Sequence, residues 1–265
     1  MKIGKLLLPI LLLFSMSCSK YSKVLKSTDY DYKLKMANQY YDQKKYNKAK
    51  TLYEELFTIF KGTPQFEDLY YRYAFCHYNT KDFPSAENLF KGYLEVFPNS
   101  PRTDEVEYMQ AYSFFRDSPK PELDQSNTVK AQGMMQTFIN THPGSAKLKE
   151  AEHIVDLCNE KLETKEMLGA QLYFNMGQFR AAAISFNSLL NDFPDSKDAD
   201  QYKLLIIKSY YQYARLSVPE KQQMRYEKVV TEVQDFQDRF PESKLLKDAE
   251  RYLTLTQSNI KSLSK

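Results

Sequence analysis

Glycine is scarce in this chain. There are 7 in 265 residues, where ordinary usage is about 7%. Neither GxGxxG nor GxxxxGK(S/T) occurs, so a glycine-rich cradle for phosphates is excluded. Tryptophan is absent, which weighs against a sugar-stacking platform. The 3 cysteines form no CxxC pair, and the 3 histidines (His77, His142, His153) have no metal-ligand spacing to them. No Ser/His/Asp or Cys/His cluster assembles from residues so dispersed, and the carboxylate pairs Glu54/Glu55 and Asp235/Asp238 fall on solvated helix faces. These absences argue against an enzyme, a metal site and a bound cofactor. The net charge of +3 is too small for a dedicated nucleic-acid binder. A hydrophobic fraction of 42% is enough for most of the chain to fold, and the aromatics are tyrosine (21) and phenylalanine (17).

Long hydrophobic runs are also missing. Behind Lys2 and Lys5, the apolar stretch Leu6–Phe14 has nine residues. Crossing a bilayer takes about 20, so the stretch reads as a secretory signal peptide. It is followed by Ser15-Met16-Ser17-Cys18-Ser19. A small residue before cysteine at the end of an apolar run resembles a bacterial lipobox, although Ser15 stands where leucine is usual. The resemblance implies lipidation at Cys18, cleavage after residue 17 and anchoring by acyl chains at about 0.8 kcal/mol per buried CH₂. Ser19 is not the aspartate that commonly retains such proteins at the inner membrane. The expected location is therefore the outer membrane, with the body facing the periplasm. An oxidising compartment permits a bridge between Cys76 and Cys158. Their placement on helices of different repeats favours two buried thiols.

The body repeats itself. Phe97-Pro98-Asn99-Ser100, His142-Pro143-Gly144-Ser145, Phe193-Pro194-Asp195-Ser196 and Phe240-Pro241-Glu242-Ser243 recur with prolines 45, 51 and 47 residues apart. Proline stops the preceding helix. Serine is then expected to N-cap the next one, with Pro101 at its first helical position. Twelve, eight and five residues before each proline stand Ala86, Phe90, Tyr93; Ala131, Met135, Phe138; Ala182, Phe186, Leu189; and Val229, Val233, Phe236. Ala49, Tyr53 and Leu56 begin an earlier copy. Spacings of four and three put each set on one helix face. A helix before each carries Met36-Ala37-Tyr40, Tyr70-Tyr73-Ala74-His77, Ala111-Phe114 or Ala170-Tyr173.

This pattern is similar to the tetratricopeptide repeat, a 34-residue helix–turn–helix unit. Its signature tryptophan is replaced by Lys33, Tyr70 or Glu166. The expected fold is all-α, a right-handed α-solenoid of about five repeats. Residues 1–17 are the signal peptide and 18–29 an anchored linker. Units one to three occupy 30–145, and units four and five occupy 146–255. Residues 146–163 form an additional helix, and 256–265 a frayed tail. Insertions are expected near 117–126 and 216–223.

A lipid-anchored chain with five such units and an aromatic-Pro-x-Ser terminator resembles the BamD family of the outer-membrane β-barrel assembly machinery. The resemblance implies a scaffold and substrate-recognition subunit for inserting β-barrel proteins. Its partners would be a BamA-like barrel protein, the aromatic-ending C-termini of unfolded outer-membrane proteins, and the membrane through the anchor. The family's exposed positions fall on Asn38, Tyr41, Tyr71, Arg72, Phe75, Tyr78, Tyr108, Tyr112 and Arg116. These residues would line a peptide groove, with Arg72 or Arg116 meeting the terminal carboxylate. The same aromatics could instead fill the inner turn of the solenoid. In the C-terminal half the resemblance puts the BamA-like partner against the unit-four turn, where Met176 and Phe179 are candidate anchors. The reading favoured for Phe179 is that it staples the two helices of its own unit. A general tetratricopeptide envelope adaptor and a SusD-like glycan-capturing lipoprotein are the competing readings.

Overall fold

The computed structural model describes residues 20–263. The signal peptide and Cys18 lie outside these residues. Residues 20–25 are helical, and eleven longer helices follow: α1 (Tyr30–Asp42), α2 (Tyr46–Ile59), α3 (Phe66–Asn79), α4 (Phe83–Val96), α5 (Thr103–Asp117), α6 (Ser126–Thr141), α7 (Leu148–Asn175), α8 (Phe179–Asp192), α9 (Ala199–Arg215), α10 (Pro219–Arg239) and α11 (Leu246–Leu263). The described residues contain no strand. The fold class is all-α, a solenoid of tetratricopeptide-type helix pairs. The chain divides into two compact units. The first holds the described residues up to Pro119 together with Gln125–Cys158. The second holds Lys120–Asp124 and the residues from Asn159 onward.

The periodic positions are the core. Ala49, Tyr53, Leu56, Ala86, Phe90, Tyr93, Ala131, Met135 and Phe138 of the first unit are all at most 2% exposed. So are Ala182, Phe186, Leu189, Val229, Val233 and Phe236 of the second. The alanines let paired helices approach closely, and the aromatic side chains fill the space between them. The expected first-helix residues Ala37, Tyr40, Tyr70, Ala74, Ala111 and Ala170 are buried too. Tyr173, expected beside Ala170, is 45% exposed, and its neighbour Phe174 packs on the core instead.

The turn inside a pair has one geometry in three places. Lys44, Lys81 and Gly177 have φ of 57°, 63° and 74°. The next residue's N–H closes each turn, Lys45 to the Tyr40 carbonyl, Asp82 to His77 and Gln178 to Tyr173. Only at Gly177 does the residue type meet the left-handed backbone without a steric cost.

The terminators fold differently from the expected N-caps. Ser100, Ser145, Ser196 and Ser243 donate their N–H to the carbonyl of the residue three earlier, at 3.0–3.2 Å. Each next helix begins three residues after its serine, at Thr103, Leu148, Ala199 and Leu246. The serine oxygens accept the N–H two residues on, from Arg102, Lys147, Asp198 and Leu245. Two consecutive turns therefore separate terminator and helix, and serine satisfies an amide of the turn rather than of the helix. Pro101 lies in that turn, not in the first helical position.

Three boundaries also differ. The additional helix expected at 146–163 does not stop there. It continues as α7 through Asn175, because no glycine or proline interrupts the helical pattern before Gly169. The first unit accordingly extends to Cys158, beyond the expected limit of 145. The expected tail at 256–265 is helical through Leu263, and Thr256 is fully buried. Cys76 and Cys158 are both buried and are not joined by a disulfide, and burial pushes the Cys76 thiol up to about 12.

Candidate peptide-binding face

The candidate residues of the first unit come from α1, α3 and α5. Tyr71, Phe75 and Tyr78 recur at four and three residues along α3, and Tyr108, Tyr112 and Arg116 at four along α5. That spacing aligns each series on one helix face. The two ends of the resulting array are chemically different.

At the α1 end, the polar groups are already engaged. Asn38 Oδ1 accepts a 2.7 Å hydrogen bond from the Tyr53 hydroxyl. Arg72 donates through Nε to Asp68 at 2.7 Å and through Nη1 to Asp42 at 2.8 Å, and its guanidinium lies 5.0 Å from the Tyr41 ring centre. Burial opposes the charge on Arg72, but the two carboxylates outweigh it and raise its pKa. Burial also pushes Tyr41 up to about 12. Tyr71 donates to Glu105 at 2.9 Å beneath the Arg102 guanidinium at 4.4 Å. Arg102 in turn holds Asp68 at 3.0 Å.

At the α5 end, Arg116 is exposed and has no carboxylate partner among the described residues. Its Nη1 donates to the Tyr78 hydroxyl at 3.1 Å. Its guanidinium carbon lies 5.2 Å from the Phe83 ring centre, 5.8 Å from Tyr112 and 5.9 Å from Tyr78. Burial raises the Tyr78 pKa against the opposing pull of Arg116, so that phenol is neutral at physiological pH. The arginine is therefore positioned by rings but not neutralised by them.

Two of the expected groove residues are already engaged within the protein. Tyr108 is 1% exposed, stacked on Tyr112 at 5.5 Å and edge-on to Phe138 at 5.9 Å, and it cannot reach a peptide on the surface. Arg72 faces two carboxylates and is not available to a third. Phe75 is half-buried against Phe90 at 5.2 Å and Tyr71 at 4.5 Å. Asp42, Asp68, Arg102 and Glu105 belong to this surface and were not anticipated. The legible signal was their separation of about one repeat, 30 residues for Asp42–Arg72 and 34 for Asp68–Arg102 and Tyr71–Glu105.

The sequence profile of a family described as YfiO, outer membrane lipoprotein, matches residues 32–229. The chain belongs to the YfiO family. No curated protein matches it. Two solved structures are similar at low identity. One is a Podosopora anserina putative kinesin light chain with nearly identical TPR-like repeats, at 11% identity and a TM-score of 0.36, covering 80% of this chain and 95% of that one. The other is the TPR2AB domain of yeast Sti1 in its pHSP90 complex, at 10% identity and a TM-score of 0.38, covering 86% and 98%.

The YfiO match includes the second unit's candidate anchors. Met176 is 63% exposed, whereas Phe179 is half-buried edge-on to Phe174 at 5.2 Å. Phe179 therefore joins α7 to α8 within its own pair, leaving Met176 as the apolar side chain this YfiO turn presents to solvent.

Proposed function

We propose that this YfiO-family protein is anchored in the outer membrane through lipidated Cys18, with its body in the periplasm. There it acts as a non-catalytic scaffold and substrate-recognition subunit in β-barrel assembly. It receives unfolded outer-membrane proteins by their aromatic-ending C-termini on the α1–α3–α5 face of the first unit. A BamA-like barrel protein is the partner of the second unit, with Met176 at the contact. The observation that carries this reading is Arg116, a guanidinium held among Tyr78, Phe83 and Tyr112 without a carboxylate of its own. A C-terminal aromatic residue would bring a ring and a carboxylate to that point together. Guanidinium grips carboxylate through two parallel N–H bonds, which a lysine cannot do.

Affinity purification of the full chain from cross-linked, detergent-solubilised envelopes tests the assignment. Recovery of a BamA-like barrel in wild type, weakened by Met176→Glu, supports it. Recovery of a glycan-transport porin, or of soluble periplasmic proteins alone, would overturn it. A Cys18→Ser variant should move from the membrane pellet to the soluble periplasmic fraction.

A further inference from the structure

In the second unit, α10 has 21 residues where the second helices α2, α4 and α8 have 14. The additional length starts at Pro219, after the extended Val218. It forms one wall of a pocket of about 630 Å³, whose lining includes Arg180, Tyr210, Tyr213, Lys221, Met224 and Arg225. We infer that this pocket docks an acidic peptide segment of a protein partner, one that carries carboxylates together with an apolar or aromatic side chain.

Charge is the first reason. Of the four cations in the lining, Lys228 is ion-paired with Glu232 at 2.6 Å. Arg180, Lys221 and Arg225 have no carboxylate partner among the described residues. The one carboxylate in the lining, Glu227, accepts from Gln223 at 3.2 Å. The pocket therefore carries an uncompensated positive charge that a ligand with two or more carboxylates would neutralise.

The second reason is that the central cation is positioned before any ligand arrives. The Arg225 guanidinium lies 3.9 Å from the Tyr213 ring centre, and its Nη1 donates to Ser217 Oγ. Ser217 Oγ donates to the Tyr213 carbonyl, and Gln222 Nε2 closes the turn onto the Arg215 and Ser217 carbonyls at 3.0 and 3.1 Å. A neutral hydroxyl and a ring fix the guanidinium while leaving most of its five N–H donors unused. Holding it in place lowers the ordering cost of binding.

The third reason selects a protein segment over a lipid headgroup. Met224 is 63% exposed at the pocket, and Leu216 and Val218 beside the same turn are 67% and 56% exposed. Tyrosine, methionine and arginine together are the composition of protein–protein interfaces. A phosphate headgroup would use the cations and leave the rings and the thioether without partners.

The test pans a displayed library of random dodecapeptides on the full chain, then measures a synthesised winner by fluorescence anisotropy. Winners should combine aspartate or glutamate with tyrosine, phenylalanine or leucine. Affinity should fall at least tenfold in Lys221→Glu and in Arg225→Glu, and also as salt rises from 50 to 300 mM. Lys221 is exposed, so its variant reports on binding even if Arg225→Glu disturbs the turn. Arg116→Ala, in the first unit, should leave this affinity unchanged, which separates the site from the β-barrel peptide face. Winners without acidic residues, or equal affinity across the charge-reversed variants, would overturn the assignment. So would phosphatidylglycerol vesicles that bind through Lys221 and Arg225 when no peptide does.

Discussion

The Ser100 hydroxyl donates to Glu67 Oε1 at 2.7 Å, tying the end of the second repeat to the first turn of the helix that opens it. The Tyr93 hydroxyl donates to the same oxygen at 2.8 Å. The second unit repeats the arrangement. Ser196 Oγ and the Tyr202 hydroxyl both bond to Glu163, and Ser243 Oγ bonds to Asp200 at 2.5 Å. Ser100, Ser196 and Ser243 thus do two jobs, accepting from a turn amide and donating to a carboxylate 33 to 43 residues back.

This closure should be acid-sensitive. The hydrogen bonds from Ser100 and Tyr93 hold the Glu67 carboxyl below its ordinary value. A folded pKa below the unfolded one, about 4.3, means stability that is fully present above that pH and lost as pH falls through the folded value. Glu67→Gln should melt a few degrees below wild type at pH 7, since hydrogen bonds to a charged group contribute roughly 1.5–3 kcal/mol. The gap should narrow as the pH falls from above about 4.3 toward 3. A gap that persists unchanged at pH 3 would show that the charge on Glu67 is not what matters.

Two buried lysines stabilise the repeats to different degrees. Lys203, 4% exposed, lies 2.5 Å from Glu232, itself 8% exposed, and also pairs with Asp235. Lys33, 3% exposed and in the place of the repeat's tryptophan, lies 2.5 Å from Glu55, which is 42% exposed. Removing Lys203 leaves the buried carboxylate of Glu232 with the half-exposed Lys228 as its remaining cation, so Lys203→Met should cost about 3 kcal/mol. Glu55 can return to water, so Lys33→Met should cost about 1 kcal/mol or less. Denaturant unfolding compares the two, and equal losses would contradict this ranking.

Gly92 makes room for a hydroxyl. A Cβ placed there would sit 2.2 Å from the Tyr70 oxygen. Tyr70 cannot easily yield, because Phe57 packs edge-on at 4.6 Å with Phe66 and Tyr93 also within 6 Å. Gly92→Ala should destabilise by about 1–3 kcal/mol through overpacking. In a Tyr70→Phe background the clash disappears, and the same alanine should stabilise by up to about 1 kcal/mol through helix propensity. A double-mutant cycle measures the sign change, and alanine with the same effect in both backgrounds would rule out the contact.

Much of the fold was legible because the alanine and aromatic positions report which face of a helix meets its partner. Ala86, Phe90 and Tyr93 could be assigned to the core from spacing alone. The functional face was less legible for a related reason. A first helix is flanked by neighbouring repeats, so a position read as outward can be covered by the next one. Tyr108 is covered by Phe138 of its own pair and by Lys147 just ahead of α7, and Arg72 is neutralised by Asp42 one repeat earlier. Periodicity within one helix carries no information about such a partner. The terminator serines misled for a local reason, since one side-chain oxygen can serve a turn as readily as a helix.

The central claim is that Arg116 receives the terminal carboxylate of an aromatic-ending peptide on the first unit. Fluorescence anisotropy measures it directly, using one such peptide with a free and with an amidated C-terminus. In wild type, amidation should weaken binding about tenfold, or about 1.4 kcal/mol. Arg116→Ala should abolish that difference. Arg72→Ala should preserve it even if overall affinity falls, because Arg72 is held by Asp42 and Asp68. Equal affinity for the two peptides in wild type, or a difference that survives in Arg116→Ala, would contradict the account.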